Sequence, residues 1–327
     1  MNRKVCVAPM MDCTDRHERF FLRLISKNVL LYTEMIVSEA ISRGDKKKLL
    51  AFNLNEKPLA LQVGGSSAKL LAEAAKIGED FGYDEINLNL GCPSRKVQKN
   101  KFGACLIKEP NLVADCLIEM MTSCSIPVTV KTRIGYDDVE DYESLKNFIK
   151  ILKKTGVKTF IIHARKAMLG KFTPKQNLNI PPLKYDIVYR LKKDFPEEEV
   201  IINGGINSIY QIKNHLEKVD GVMIGRSVYH SPYFLAEIER EIFNNDNISS
   251  RKEIIENLIP YVKSEIKKGT RLNQIMRHTI GLFHGQTGAN FWKRYLSENM
   301  CVRNADVQKI NHIMDKITFN HLERSVS

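Results

Sequence analysis

The residues best suited to chemistry lie in Asn87-Leu88-Asn89-Leu90-Gly91-Cys92-Pro93-Ser94, where an apolar, β-like run ends in a turn that carries a thiol. Gly91 and Pro93 punctuate that turn, and the polar stretch from Arg95 to Gly103 is expected to be flexible enough to cover a substrate. A cysteine held in this way suits an acid or a nucleophile. The alternative is a small buried apolar residue, the usual fate of a free cysteine. Other reactive or ligand-binding side chains recur at the ends of similar runs: Met10 and Met11, Glu34, Gln62, Asn89, Lys131 and Arg133, His163 and Arg165. The last two runs end in Asn203-Gly204-Gly205 and Gly225-Arg226. Each has an ordinary alternative, Lys131 as an ion pair and His163 as a hydrogen-bonded core residue. It is their common placement at run ends that points to one site.

The elements that must position these residues are eight short apolar runs: Val5 to Pro9, Leu30 to Glu34, Leu59 to Gly64, Glu85 to Gly91, Val128 to Arg133, Phe160 to Arg165, Val200 to Gly205 and Gly221 to Arg226. Continuous apolar runs predict strands buried on both faces, as in a parallel sheet. Helical patterns lie between them, over Ala68 to Phe81, Pro110 to Thr122, Tyr142 to Lys154 and Tyr210 to Lys218. Eight β/α units predict an α/β fold, a (β/α)8 TIM barrel with its chemistry at the C-terminal strand ends. A doubly wound sheet is the structural alternative, but Ala8-Pro9-Met10-Met11-Asp12 has no glycine for a dinucleotide fingerprint. The loops after the last two strands of such a barrel commonly bind phosphate, which glycine backbone N–H groups and a guanidinium suit. A phosphorylated cofactor is therefore expected.

The chain has 327 residues, enough for a barrel and a smaller second domain. Beyond about residue 245 the pattern becomes helical only: Arg251 to Lys268, Leu272 to Phe283, Ala289 to Asn299 and Ala305 to Leu322. The expected division is thus 1–244, the barrel, and 245–327, a small C-terminal helical domain. Lys and Arg number 50 against 38 Asp and Glu, a net charge of +12 that points to a polyanionic partner. The tail interleaves Arg277, His278, Lys293, Arg294 and Tyr295, suited to nucleic acid; a solvated bundle face is the alternative. The seven cysteines have no paired spacing, so neither a disulfide frame nor a zinc site is expected, and no metal. No apolar run reaches the length of a membrane span and none resembles a signal peptide, which predicts a soluble cytoplasmic protein.

Ala8-Pro9-Met10-Met11-Asp12, Thr14-Asp15-Arg16-His17, Leu31-Tyr32-Thr33-Glu34-Met35, Asn87 to Ser94, Lys131-Thr132-Arg133, His163-Ala164-Arg165 and Asn203-Gly204-Gly205 together resemble the tRNA-dihydrouridine synthases along nearly the whole chain. Lys166 to Leu183 and Trp292 to Asn299 are similar to the A-type branch, which modifies D-loop uridines 20 and 20a. From that resemblance basic residues are expected at the positions here held by Leu178 and Asn290, beside Lys175 and Lys293.

The resemblance implies an FMN-bearing barrel that reduces the uracil C5=C6 bond in tRNA, with NADPH as the reductant. Hydride goes from reduced FMN to C6, and Cys92 gives the proton to C5. Pro9, Met10 and Met11 would support the flavin, Gln62 would hydrogen-bond it, Lys131 would face its N1/O2 edge and His163 would lie near it. Asn203, Gly204, Gly205, Gly225 and Arg226 would hold its phosphate. Asn89 would touch the flipped uridine, and Lys175, Lys293 and Arg294 would contact tRNA. A monomer is expected. Two other functions stay open at this point: an FMN-dependent reductase of free pyrimidines or nucleotides, and a non-catalytic RNA-binding protein.

Overall fold

A computed structural model describes residues 1–139 and 141–301; the helix expected over Ala305 to Leu322 lies outside the described residues. Nine parallel strands form one sheet: β1 (Val5–Val7), β2 (Leu31–Tyr32), β3 (Ile36–Val37), β4 (Leu59–Gly64), β5 (Glu85–Leu90), β6 (Val128–Arg133), β7 (Thr159–His163), β8 (Glu199–Asn203) and β9 (Gly221–Ile224). Their order is β1-β9-β8-β7-β6-β5-β4-β2, with β3 beside β4. Val7 N–H donates to the Leu30 carbonyl at 2.9 Å and Leu30 N–H to that of Val5 at 3.1 Å, so β1 also meets the residue before β2 and the barrel closes. Each of the eight apolar runs contains one barrel strand. The short β3 is an addition, pairing Ile36 with Val63 in the turn region after β2.

The helices between the strands follow from their capping residues. Ser67 caps Ala68–Phe81, which stops at Gly82 in the left-handed region, φ +93°. Asp141 caps Tyr142–Lys153 through the Ser144 N–H, and Pro110 opens Pro110–Ser123, where its missing N–H costs nothing. These helices cover the outward residues of the strands. A Cβ on Gly78 would lie 2.6 Å from Ile86 Cδ1 and 2.8 Å from Leu61 Cδ2, so helix and sheet meet closely there.

Alternation then decides the barrel interior. With Ile86 facing a helix, β5 turns Glu85, Asn87 and Asn89 to the other side, and the parallel register aligns Gln62 with Asn87, Asn87 with Thr129 and Asn89 with Lys131. Arg133 pairs with His163, and His163 with Asn203. Cys6, Ala8, Leu30, Tyr32, Ala60, Ile161, Ile201 and Met223 form an apolar cluster within the core. Reactive side chains therefore collect at one end of the barrel for the same reason that the apolar ones pack below them.

The chain divides into two compact units: Met1–Thr14 with Val29–Gly225, and Asp15–Asn28 with the described chain from Arg226 onward. Residue 245, where strand–helix alternation stops in the sequence, falls inside the second unit. In that unit Asp15 caps the helix Arg16–Ile25 through the N–H groups of His17 and Glu18. Its other oxygen accepts from Arg277 at 2.7 Å and meets His278 Nε2 at 3.1 Å. Burial would raise the Asp15 carboxyl, but His278, the Glu18 N–H and Arg277 outweigh it and hold it below the usual carboxylate range. Phe20 stacks on Tyr261 at 3.9 Å, and Glu239 accepts from Ser26 and Asn28.

The long helix is Arg251–Lys267, close to expectation. The helix expected over Leu272 to Phe283 instead stops at Met276, followed by a 3-10 turn, Arg277–Thr279. Asp15 holds Arg277 and His278, while the Thr279 carbonyl accepts from the buried Trp292 indole at 2.9 Å instead of continuing a helix. A Cβ on Gly281 would also overlap the His230 carbonyl.

Barrel closure rests on a close approach between β9 and the start of β1, where a Cβ on Gly221 would overlap the Arg3 carbonyl oxygen. Gly221→Ala is predicted to destabilise the fold by about 2 kcal/mol through overpacking, read as a lower urea midpoint. A midpoint equal to the parent's would contradict that approach.

Candidate active site

Cys92 stands just beyond β5, and both of its main-chain groups are tied down. Its N–H donates to Asn89 Oδ1 at 3.0 Å, beside the Gly91 N–H at 3.1 Å, and its carbonyl accepts from the Ala104 N–H at 3.0 Å. Gly103 permits that last bond: its φ is +74°, and a Cβ there would lie 2.7 Å from the Cys92 oxygen. The segment from Arg95 to Gly103, expected as a flexible cover, is folded onto the turn as a short helix, Arg95–Lys99, leading into the 3-10 segment Gly103–Lys108. Burial raises the thiol pKa from its ordinary value, while the Ser94 N–H, Arg133 and Lys131 oppose the rise without cancelling it. Cys92 is therefore a thiol, not a thiolate, at neutral pH.

Two cations from β6 face this turn. Lys131 keeps part of its surface open at the mouth, and its Nζ donates to Asn203 Oδ1 at 3.0 Å. Asn203 is oriented for this by donating Nδ2 to the Met223 carbonyl at 2.8 Å. Among the described residues Lys131 has no carboxylate partner, and desolvation together with the like charge of Arg133 pulls its pKa down to about 7. Arg133 is buried and donates Nε to the Gly91 carbonyl at 2.8 Å and Nη1 to the carbonyls of Lys166 and Asn177, at 3.1 and 3.2 Å. Burial, the largest influence, lowers its pKa to about 10, so it remains a cation at neutral pH.

Asn177 is fully buried and gathers the loop after β7 around its amide, accepting from the Met168 N–H at 2.7 Å and donating to the carbonyls of Met168, Phe172 and Thr173. Lys175 is exposed on the one-turn helix Pro174–Asn177 of that loop.

The remaining expected residues fall as follows. Pro9 and Met10 are half-buried after β1, where the Met10 carbonyl accepts from the N–H groups of Cys13 and Thr14; Met11 is exposed. Gln62 is buried, with both ends of its amide bonded to Asn87 and Asn89. Asn89 is buried but for a small part of its surface. His163 lies against Gly204, whose Cβ would fall 2.8 Å from the imidazole Cδ2 and whose φ is +125°. Glycine is thus required at 204 by the histidine ring and Leu183, whatever the loop binds. A Cβ on Gly205, φ +71°, would lie 2.6 Å from Leu183 Cδ1, and one on Gly225 would lie 3.3 Å from Met10 Sδ.

Arg226 is exposed and opens the helix Arg226–His230 as the first residue of the second unit after Asn28. In the same unit Lys293 and Arg294 are exposed on the helix Ala289–Asn299, opposite the buried Trp292 and Leu296. Lys293 also lines a cavity of about 450 Å³ with Arg277, His230, His284 and Asn290.

Arg133 and Asn177 matter more than their place in the sequence suggests, since both act on main-chain carbonyls distant along the chain. Among the described residues no cluster of His, Cys, Asp and Glu could hold a metal ion, and no helix is long and apolar enough to cross a membrane.

A parallel barrel that gathers a protonated thiol, a lysine without a carboxylate partner among the described residues, and glycine-bearing strand ends at one mouth has the form of a (β/α)8-barrel enzyme. The chain belongs to the dihydrouridine synthase (Dus) family, which its residues 6–318 match. It is 53% identical over 300 residues to the tRNA-dihydrouridine(20/20a) synthase of Synechocystis sp., covering 91% of this chain and 90% of that one. It is 51% identical over 310 residues to the protein of the same name from Escherichia coli K12, covering 94% and 90%. A solved complex of 2-naphthoyl-CoA reductase shares the fold alone: TM-score 0.54 at 13% identity, over 73% of this chain and 50% of that longer one.

The depressed lysine makes stability depend on pH. Lys131 releases its proton near 7 in the folded, ligand-free protein but near 10.5 when unfolded. Between those values the unfolded chain binds more protons, so this residue's contribution to stability rises with pH and is least below pH 7, where the charge is buried. Lys131→Met should therefore melt roughly 2–4 °C above the parent near pH 6, with the gap closing toward pH 10. Parallel melting curves across that range would show that Lys131 is not desolvated.

Proposed function

We propose that this protein reduces uridine to 5,6-dihydrouridine in the D-loop of tRNA, at positions 20 and 20a, with FMN as bound cofactor and NADPH as reductant. It acts as a cytoplasmic monomer. The observation that carries the reading is the protonated Cys92 beside Lys131 in a chain about half identical, over nearly its whole length, to proteins named for that activity.

The residues of the mouth suit a flavin phosphate. Lys131 lacks a carboxylate partner among the described residues, and Asn203 aims its amide oxygen at the ammonium. A negative charge at the flavin N1/O2 edge would meet that ammonium and hold it protonated above 7. Gly204, Gly205 and Gly225 bring main chain without side chains to the ends of β8 and β9, and Arg226 follows Gly225 in the chain; these would hold the phosphate. Pro9, Met10, Met11, Gln62 and His163 would border the ring. The chemistry FMN would supply when bound there is hydride donation to uracil C6.

The chain's own part is proton delivery and orientation. Cys92 holds the proton for C5 on a thiol that needs no tuning to be protonated at pH 7. Asn89 would orient the uracil, and Arg133 fixes the turn on which Cys92 stands. Lifting the uridine from its stack costs a few kcal/mol. Phosphate contacts by Lys175, Lys293 and Arg294 would offset that cost.

Dihydrouridine mapped by mass spectrometry in unmodified tRNA treated with the purified protein and NADPH tests the reading directly. Product at positions 20 and 20a, with none from free uridine, is expected. Turnover of free uridine without turnover of tRNA would indicate a free-pyrimidine reductase. Dimer mass by light scattering would overturn the monomer.

Cys92→Ala should keep its flavin and its NADPH oxidation while tRNA reduction falls 10²- to 10⁴-fold, about the loss expected for a general acid. Full activity of the variant on tRNA would remove Cys92 from the mechanism. Lys293→Ala or Arg294→Ala should weaken tRNA binding without changing flavin content, and should reduce the slope of log K against log salt by about 1. An unchanged slope would make that side chain part of a solvated helix face.

A further inference from the structure

Below the mouth, the barrel interior contains a continuous column of buried polar side chains whose lower members, Asn87, Thr129 and Glu85, have no part in the proton and cofactor roles. Asn89 Nδ2 donates to Gln62 Oε1 at 2.8 Å, Gln62 Nε2 to Asn87 Oδ1 at 2.8 Å, and Asn87 Nδ2 to Thr129 Oγ1 at 2.9 Å. The Thr129 hydroxyl donates to Glu85 Oε1 at 2.6 Å. Arg3 Nε and the Tyr32 hydroxyl also donate to Glu85, at 2.7 and 2.8 Å. Glu85 and Asn87 are fully buried, and Thr129 is 1% exposed.

Stability does not account for this column. Barrels of this type fill the same volume with Val, Ile and Leu, and a buried ion pair is often no more stabilising than well-packed apolar residues. What the column does have is a direction. A carboxylate only accepts hydrogen bonds, and Glu85 is ion-paired to Arg3. Thr129 must then donate to Glu85, so its oxygen is left to accept from the Asn87 amide nitrogen. Asn87 therefore turns its oxygen to Gln62, and Gln62 turns its oxygen to Asn89. Asn89 is left with its oxygen toward the N–H groups of Gly91 and Cys92. A reversed Asn89 would set donor against donor at the turn. The orientation required by the turn is the one dictated from the floor of the barrel.

The geometry points to Glu85, Thr129 and Asn87 as positioning residues for the reaction: they act through Gln62 and Asn89 to fix the Cys92 turn and the amide face that meets the uridine. This rests on the reading of Cys92 as proton donor and Asn89 as substrate contact.

Thr129→Val keeps the shape of the side chain and removes the hydroxyl, whereas Thr129→Ser keeps the hydroxyl and removes a methyl group. In Thr129→Val, amide hydrogen exchange at Gly91 and Cys92 should accelerate about tenfold, and kcat for tRNA reduction should fall about tenfold, with KM within about twofold. Thr129→Ser should stay within about twofold of the parent in exchange and kcat. Unchanged exchange and kcat in the valine variant would overturn the proposal. So would equal losses in both variants, because the side chain would then matter only as bulk. If Thr129→Val does not fold, Asn87→Leu, which is close in size and cannot donate to Thr129, is measured in the same way. Full activity of Cys92→Ala would refute the proton-donor reading alone, since the exchange rates at Gly91 and Cys92 still decide whether the column orients the turn.

Discussion

The Arg3–Glu85 ion pair is the contact on which the interior of this barrel depends. Once alternation turns Glu85, Asn87 and Asn89 of β5 inward, three polar side chains need partners in a space closed to water. Burial works against the Arg3 charge, but Glu85 and Glu199 outweigh it and hold the guanidinium above its ordinary range. Tyr32 and Thr129 supply two further donors to Glu85, and Thr159 supplies one to Glu199. The desolvation penalty is thus met by two strands that are not neighbours in the sheet, β5 and β8, together with the residues leading into β1. A floor of this kind requires closure, and it leaves every amide above it with one orientation.

At the other end of the barrel the electrostatics run the opposite way. The floor balances its cations with carboxylates, whereas Lys131 and Arg133 have none among the described residues. An anion placed at such a mouth would therefore be stabilised by it. The same two cations pull the Cys92 thiol toward ionisation, and burial pulls it back more strongly. In the proposed reaction the acid would have to keep its proton until the substrate demands it, and the lysine beside it would have to keep its charge when the ligand's charge develops. Packing meets the first requirement by enclosing the sulfur. Asn203 meets the second by offering the ammonium an uncharged acceptor that does not compete with an anion.

Much of the barrel was legible in the chain because its strands are continuous apolar runs ending in polar residues, and such runs have few other stable forms. The position of Cys92, Lys131, Asn203 and the glycines at strand ends followed from the same runs. Residues whose roles depend on register were not legible in that way. Thr129 and Arg3 look like ordinary residues until β4, β5 and β6 are aligned and β1 is closed against its neighbours, since Arg3 and Glu199 are 196 positions apart. The spacing Glu85-x-Asn87-x-Asn89 was the available signal, three polar residues on one face of an otherwise apolar strand. Nor does composition reveal that Asp15–Asn28 belongs with the chain after Arg226, because the ties, Asp15 to Arg277 and His278, Phe20 on Tyr261, and Ser26 and Asn28 to Glu239, join residues far apart in the sequence.

Arg133 shows how the turn that carries the thiol and the loop that carries Lys175 are held in one arrangement. Its guanidinium takes the Gly91 carbonyl on one side and those of Lys166 and Asn177 on the other, and Asn177 in turn gathers its loop through main-chain groups at Met168, Phe172 and Thr173. Apart from Arg133 and Asn177 themselves, every partner in this brace is a carbonyl or an N–H, present whatever the side chain. The loop can therefore change residues on its surface without loosening the support of Cys92. In the proposed function, nucleic-acid contacts on such a loop could vary while the position of Cys92 stays constant. That separation follows from bonding through the main chain: a brace made of side-chain pairs would have tied the two together.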